Sequence, residues 1–176
     1  MRAVWYDRTG TARDVLQLGD QPKPQAGQGQ VLIAVKASGV NPSDVGMRGG
    51  ASGAPMAYPK IIPHSDGAGV VEAVGPGVSP AWVGRRVWFY NGQRNGRAFG
   101  AAAEYIELDV DLVRALPNDV SFAEGATLGD PHRETIGIRS EEHTSELQSR
   151  AYLARRLLLE KQNCMSSRSH NPTLTS

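Results

Sequence analysis

The sequence predicts a mainly β fold with short helices, either a β-barrel or a β-sandwich. Short β-prone segments alternate with turn signals along most of the chain, and this spacing is typical of both architectures. The 176 residues include 20 glycines and 11 prolines, which supply the turns that such folds need. The length allows one domain of ordinary size.

The predicted strands are apolar runs bounded by glycine and proline. The clearest is residues 31–38, where Val31, Ile33 and Val35 fall on one face of the strand. Two glycines open the run at 67–75, where they permit close approach of a neighbouring backbone. The segments predicted as strands are residues 2–6, 15–19, 31–38, 67–75, 85–90, 102–108 and 112–117.

Two helices are predicted from the signals at their N-termini. Asn41 can cap a helix whose first residue is Pro42, and the glycines at 49–50 would stop it, so a single helical turn is expected. Ser121 and Glu124 form a capping box, in which each side chain bonds the other residue's backbone N–H. A second helix should therefore begin at this serine.

Charge and cysteine content exclude several classes of protein. Lys plus Arg is 19 and Asp plus Glu is 18, so the basic excess of a nucleic-acid binder is absent. No apolar run is long enough to span a membrane, and no signal peptide is recognisable. Cys164 is the only cysteine, which excludes an internal disulfide and a cysteine-rich zinc site. These features are typical of a cytoplasmic protein.

Four blocks of sequence, in one continuous order, carry a family resemblance. They are ASGVNPSD at 37–44, IPHSDGAGVVEAVGPGVS at 62–79, Arg86-Val87 followed by AAEYIEL, and LPNDVSFAEGATLG at 116–129. Together they resemble the N-terminal half of a medium-chain dehydrogenase/reductase, in its zinc-free NAD(P)H:quinone oxidoreductase branch. The resemblance implies that residues 1–129 form a GroES-like, partly open β-barrel, which is the substrate-side wall of an active-site cleft.

In such enzymes the opposite wall of the cleft is a Rossmann domain that binds NAD(P)H. No G-x-G-x-x-G fingerprint follows residue 129, and the glycine runs at 67–72 and 75–80 lack the third glycine and the strand-turn-helix context. We therefore expect the fold to be truncated before the Rossmann domain, and the chain to be inactive alone. For the full-length protein the resemblance implies NADPH as cofactor, a small-molecule quinone or enone as acceptor, and a homodimer.

The matched blocks contain three candidate site residues. By resemblance, Asn41 faces the nicotinamide end of the cleft, and Asp44 contacts the cofactor or orients a neighbour. The alternatives are a helix cap at Asn41 and a carboxylate that favours the helix dipole at Asp44. His64 is a candidate catalytic proton donor to the reduced quinone because its pKa lies near neutrality, although a lone histidine is more often structural. Tyr58, Trp88 and Tyr90 could line an aromatic acceptor pocket; the alternatives are a core position for Trp88 and a strand end for Tyr90.

No metal is expected in this site. Zinc-dependent members of the superfamily carry a cysteine where this chain has Asn41, and a His-Glu pair where it has Ser65 and Asp66, with His64 one place out of register. A catalytic zinc needs three protein ligands, which these side chains cannot supply. A quinone accepts hydride without a Lewis acid. Two other interpretations stay open, namely a free-standing GroES-like binding module and a fragment of a zinc-type alcohol dehydrogenase.

The composition changes near the end of the chain. Residues 139–176 contain seven serines and no Gly, Val, Trp or Phe. Within them, residues 139–161 resemble a translated sequencing adapter, and RSEEHTSELQS at 139–149 agrees with it at all eleven codons. We therefore expect residues 130–138 to be a junction and the tail after it to be non-native. The alternative is an amphipathic helix that binds a partner or a membrane surface.

Overall fold

The computed structural model describes residues 1–93 and 96–129. This part of the chain is mainly β with short helices, which confirms the predicted class. None of its helices has the length and apolar character needed to cross a bilayer. The predicted domain boundary after residue 129, the junction at 130–138 and the tail at 139–176 all lie outside the described residues.

The strands form a five-stranded antiparallel sheet in the order β6-β3-β4-β5-β7 and a two-stranded sheet of β1 and β2. The strands are β1 (Arg2–Trp5), β2 (Gln17–Asp20), β3 (Gln30–Gly39), β4 (Asp66–Val74), β5 (Arg86–Phe89), β6 (Tyr105–Asp109) and β7 (Val113–Ala115). The α-helices are α1 (Ala12–Val15), α2 (Pro42–Gly49) and α3 (Phe122–Gly125), and short 3₁₀ helices lie at Pro80–Trp82 and Val110–Leu112. The strand predicted at residues 15–19 differs at its start, because Val15 is the last residue of α1 and β2 begins at Gln17.

The pairing of β3 with β4 departs from simple alternation. The two strands are antiparallel, with Gly39 opposite Asp66 at the end that carries the site. The register shifts between Leu32 and Ile33, as at a β-bulge, where an extra residue changes which side chains face the core. Val31, Leu32 and Ile33 are all buried, so both faces of β3 are covered at this point.

Both predicted helices are present, and one is longer than expected. Helix α2 spans Pro42–Gly49, which is two turns rather than one, and it ends where Gly50 adopts a φ of 75°. Glycine has no Cβ and enters this left-handed region without strain. At α3 the capping box is confirmed, because the Ser121 N–H donates to Glu124 Oε2 at 2.9 Å and the Glu124 N–H donates to Ser121 Oγ at 3.2 Å.

The main core lies on one face of the five-stranded sheet. Its fully buried members come from five strands and one loop, and their apolar burial is the main source of stability. They are Val31, Ile33, Val71, Val87, Phe89, Ala101, Ile106, Leu108 and Val113. A second cluster of Ala68, Leu116 and Ala126 holds α3 against the sheet, with Trp88 packed on it.

Arg86, in β5, ties the segment after β7 to the sheet. Its guanidinium donates to the backbone oxygens of Pro117 at 2.9 Å, Asn118 at 2.8 Å and Val120 at 2.6 Å. It also lies 4.5 Å from the ring centroid of Phe122, the first residue of α3. One side chain therefore satisfies three carbonyls and supports the start of the helix.

We expect Arg86→Met to lower the free energy of unfolding by about 2 kcal/mol, because charged donors to three carbonyls are lost together. Arg85→Met is the matched control, since the Arg85 Nε donates to one carbonyl only, that of Ala81 at 2.8 Å. Its loss should be under about 1 kcal/mol. Urea unfolding measures both, and equal losses in the two variants would contradict the anchoring role of Arg86.

Candidate functional site

The three candidate residues predicted from the sequence lie in one polar cluster. Strand β3 ends, β4 begins and α2 starts in the same region, since Gly39 pairs with Asp66 and α2 follows β3 directly. We define the polar cluster as Ser38, Asn41, Asp44, His64 and Asp66. Asp44 and Asp66 are buried, and the other three are half-buried.

Asn41 is both the cap of α2 and a member of a side-chain network. Its backbone is extended, with φ −108° and ψ 155°, and its N–H donates to Asp44 Oδ2 at 2.8 Å. Its side-chain Nδ2 donates to Asp66 Oδ2 at 2.6 Å. The amide of Asn41 is therefore held by a carboxylate on the adjacent strand.

Asp44 is a buried carboxylate, and one of its oxygens lacks a hydrogen-bond donor among the described residues. The side chain is 4% exposed, and only Oδ2 is bonded, to the Asn41 N–H. Oδ1 is buried and has no hydrogen-bond partner among residues 1–93 and 96–129. An unsatisfied buried acceptor costs stability, so its retention calls for an explanation beyond folding.

His64 is held in an uncommon backbone conformation. Its φ is 76°, in the left-handed region that residues other than glycine seldom adopt, although Asn, Asp and His do so more often than most. Its Nδ1 shares a 2.7 Å hydrogen bond with Ser38 Oγ. Burial lowers the pKa of the imidazole below its usual value, and the negative charge of Asp44 opposes this shift. Strain of this kind is often found at functional sites.

The lowered pKa of His64 makes stability depend on pH. Below about 6.5 the unfolded chain takes up a proton at this residue before the folded chain does, so the free energy of unfolding should fall as the pH falls through this range. His64→Asn removes the titration, and asparagine tolerates the left-handed backbone. Urea unfolding at about pH 7.5 and about pH 5.5 should show a smaller loss in the variant. An identical loss in both proteins would contradict the shift.

Tyr6 is a neighbour of the cluster that the sequence analysis missed. It is 1% exposed, and its backbone bonds that of Ile61 in both directions at 2.9 Å. Burial raises the pKa of its phenol, the charge of Asp44 raises it further, and Arg48 opposes both. Its position in a short β-prone run gave no signal of this contact, because the two segments lie far apart in sequence.

A cavity of about 180 Å³ is lined by Tyr6, the neighbour of the cluster, and by no member of the polar cluster itself among the described residues. Tyr6 and Tyr58 line it together with Met47 from α2 and with Gln93. Of the predicted aromatic pocket residues, Tyr58 thus faces a cavity, whereas Trp88 packs on the second core cluster. A larger cleft of about 600 Å³ lies elsewhere and contains no member of the polar cluster.

Among the residues that the structure describes, no three His, Cys, Asp or Glu side chains are grouped so that they could hold a metal ion. The acidic and imidazole groups of the polar cluster are Asp44, His64 and Asp66. Two of these bond neighbouring donors, since Asp44 accepts from the Asn41 backbone and Asp66 from the Asn41 amide. The cluster is arranged as a hydrogen-bond network.

Residues 27–118 match the family model of the alcohol dehydrogenase GroES-like domain, over more than half of the chain. The chain belongs to this family. The GroES-like fold inferred from the four sequence blocks is therefore confirmed, and the polar cluster lies within the matched span.

Several oxidoreductases are similar to this chain. The mouse quinone oxidoreductase is 41% identical over 136 residues, which is 75% of this chain and 38% of the mouse protein. An alcohol dehydrogenase from Geobacillus stearothermophilus is 34% identical over 64% of this chain and 40% of its own length. A mycobacterial structure in complex with NADPH is 35% identical with a TM-score of 0.62, over 72% of this chain and 37% of that one. The chain thus spans about two fifths of the length of these proteins.

Proposed function

We propose that residues 1–129 are the substrate-side domain of an NADPH-dependent quinone oxidoreductase, which reduces a quinone or enone without a metal. The observation that carries the proposal is the polar cluster itself, where a proton-bearing imidazole lies beside a capped helix N-terminus and a buried acceptor. The similarity to the mouse quinone oxidoreductase and to the mycobacterial NADPH complex supports it. The nucleotide-binding wall of the cleft would lie in sequence outside this range.

Asn41 and Asp44 are the proposed contacts to the nicotinamide end of the cofactor. Asp44 Oδ1 is an acceptor that lacks a donor among the described residues, and a carboxamide carries an NH₂ donor. Asn41, whose Nδ2 is held by Asp66, would present a fixed amide beside it. The residues therefore fit a nicotinamide by their chemistry. Bound NADPH supplies the hydride.

His64 is the proposed proton donor to the oxygen of the reduced acceptor. Its Nδ1 is engaged with Ser38, which fixes the ring and leaves Nε2 as the nitrogen that can deliver a proton. Because burial lowers its pKa, the protonated form is a stronger acid than an ordinary histidine. Ser38 would then be a positioning residue.

The second candidate is a zinc-type alcohol dehydrogenase, and the Geobacillus relative is named an alcohol dehydrogenase. Its chemistry would need three metal ligands, and Asn41, Ser65 and Asp66 stand where such ligands are expected. One carboxylate, one amide and one hydroxyl are a poor set for zinc, which prefers thiolate and imidazole. We therefore rank this candidate below the quinone oxidoreductase.

The deciding experiment uses the protein encoded by the complete gene. NADPH oxidation at 340 nm with 1,4-benzoquinone should proceed, a primary alcohol with NADP⁺ should not react, and zinc content should stay well below one per chain. The 176-residue chain should show background turnover only. Zinc at one per chain together with alcohol oxidation would reverse the ranking. Inactivity with both substrates would favour a binding module.

A further inference from the structure

We propose that the cavity lined by Tyr6 and Gln93 binds the single ring of the reduced acceptor, and that Gln93 Oε1 accepts a hydrogen bond from a ring hydroxyl. The inference rests on the proposed function, because that function determines which ring compounds would reach the cavity. It goes further in naming the chemical form of the ligand and a residue that selects it.

Gln93 is buried, and one oxygen of its side chain lacks a hydrogen-bond donor among the described residues. The side chain is 6% exposed, and its Nε2 donates to the Arg97 backbone oxygen at 3.3 Å. A carbonyl oxygen can only accept, so the Gln93 group that meets the Arg97 carbonyl must be the NH₂ group. Oε1 is then left as a buried acceptor with no partner within the described ranges 1–93 and 96–129.

The walls of the cavity suit one aromatic ring. They include Tyr6, Met47, Met56, Tyr58 and Ile61, which are aromatic, thioether or aliphatic. Methionine side chains adapt to a flat ligand and make favourable contacts with ring edges. The volume of about 180 Å³ is close to the roughly 150 Å³ of an apolar cavity that binds benzene.

The cavity is also placed next to the proposed chemistry. The loop that carries Gln93 is bonded to the segment after His64, since the Gly92 N–H donates to the Ser65 backbone oxygen at 2.7 Å. Tyr6 lines the cavity, and the negative charge of Asp44 contributes to raising the pKa of its phenol. A ring in the cavity would therefore contact Tyr6 and Gln93, whose surroundings connect to the polar cluster.

The Oε1 atom of Gln93 distinguishes the oxidised from the reduced form of such a ring. A quinone carbonyl would place a second acceptor against Oε1, whereas a hydroquinone hydroxyl would donate to it. The site should thus favour hydroxyl-bearing rings and retain the reduced product. Gln93 is in this view a specificity residue.

The test uses the 176-residue chain with ¹³C-methyl methionine. The sequence has four methionines, and Met47→Leu and Met56→Leu assign the two cavity signals. The ligands are 4-methylphenol and p-xylene, which differ by a hydroxyl in place of a methyl. Both should shift the two cavity signals. The ratio of the phenol affinity to the xylene affinity should fall roughly three- to tenfold in Gln93→Leu, the amount one hydrogen bond supplies. Exposed Gln28→Leu is the control and should leave the ratio unchanged.

A second measurement does not depend on the variant. In the ¹⁵N-labelled wild-type chain, the Gln93 side-chain amide signals should move with 4-methylphenol and stay in place with p-xylene. No shift at either methionine up to about 10 mM ligand would overturn the proposal, as would an unchanged affinity ratio in Gln93→Leu. These outcomes are separate from quinone reduction by the complete protein, which tests the proposed function alone.

Discussion

Replacing His64 with asparagine should lower kcat of the complete protein for quinone reduction by about 10²-fold or more, the usual contribution of a positioned general acid. The substitution introduces a side chain that tolerates the φ of 76° and therefore adds no backbone strain. KM for NADPH should change little, because the lost group acts on the acceptor oxygen. Steady-state rates at saturating NADPH and quinone measure both constants.

The pH profile separates a proton donor from a structural histidine. A general acid must be protonated, so wild-type kcat should decrease as the pH rises through the lowered pKa of His64, and the variant should lack this limb. Ser38→Ala removes the 2.7 Å partner of Nδ1 but keeps the imidazole, so its loss should be smaller and the limb should persist. A His64→Asn enzyme within twofold of wild type, with an unchanged profile, would show that His64 only supports the fold.

Local signals were enough to predict most of the strands and the start of two helices. The capping box at Ser121 and Glu124 acts within four residues, so its sequence pattern leads directly to its hydrogen bonds. The matched sequence blocks likewise brought Asn41, Asp44 and His64 forward as site candidates. In each case the information lies in neighbouring residues.

Contacts between distant segments could not be predicted in the same way. Ser38 and His64 meet across 26 residues, and nothing near either residue marks the pair. Tyr6 directly follows the first strand, where it looks like an ordinary core residue, yet the charge of Asp44 acts on its phenol. Gln93 lies in a glycine-rich loop, a setting that predicts exposure, yet it is buried because Gly92 and Gly100 pack closely on the backbone of residues 63–65. These features depend on how β3, β4 and the loops assemble.

The same assembly makes one glycine in β4 critical for folding. A Cβ at Gly69 would lie 2.2 Å from the Ala34 backbone oxygen and 2.9 Å from Ile33 Cγ2. The register shift of β3 between Val35 and Ala37 lies next to Gly69. The β3 backbone at this point therefore has little freedom to move away from an added Cβ. Because the obstacle is backbone in the central strand pair, relief requires the sheet to move.

We therefore expect Gly69→Ala to lower the free energy of unfolding by about 3 kcal/mol, at the upper end of overpacking effects and a large share of a small domain's stability. The control is Gly49→Ala at the end of α2, where an added Cβ meets nothing within 4 Å. That change should raise stability by about 0.5 kcal/mol, because alanine favours a helix over glycine. Urea unfolding followed by tryptophan fluorescence measures both. If Gly69→Ala were as stable as wild type, β3 and β4 could not pair in the register described, and the alignment of Gly39 with Asp66 that positions the polar cluster would fall with it.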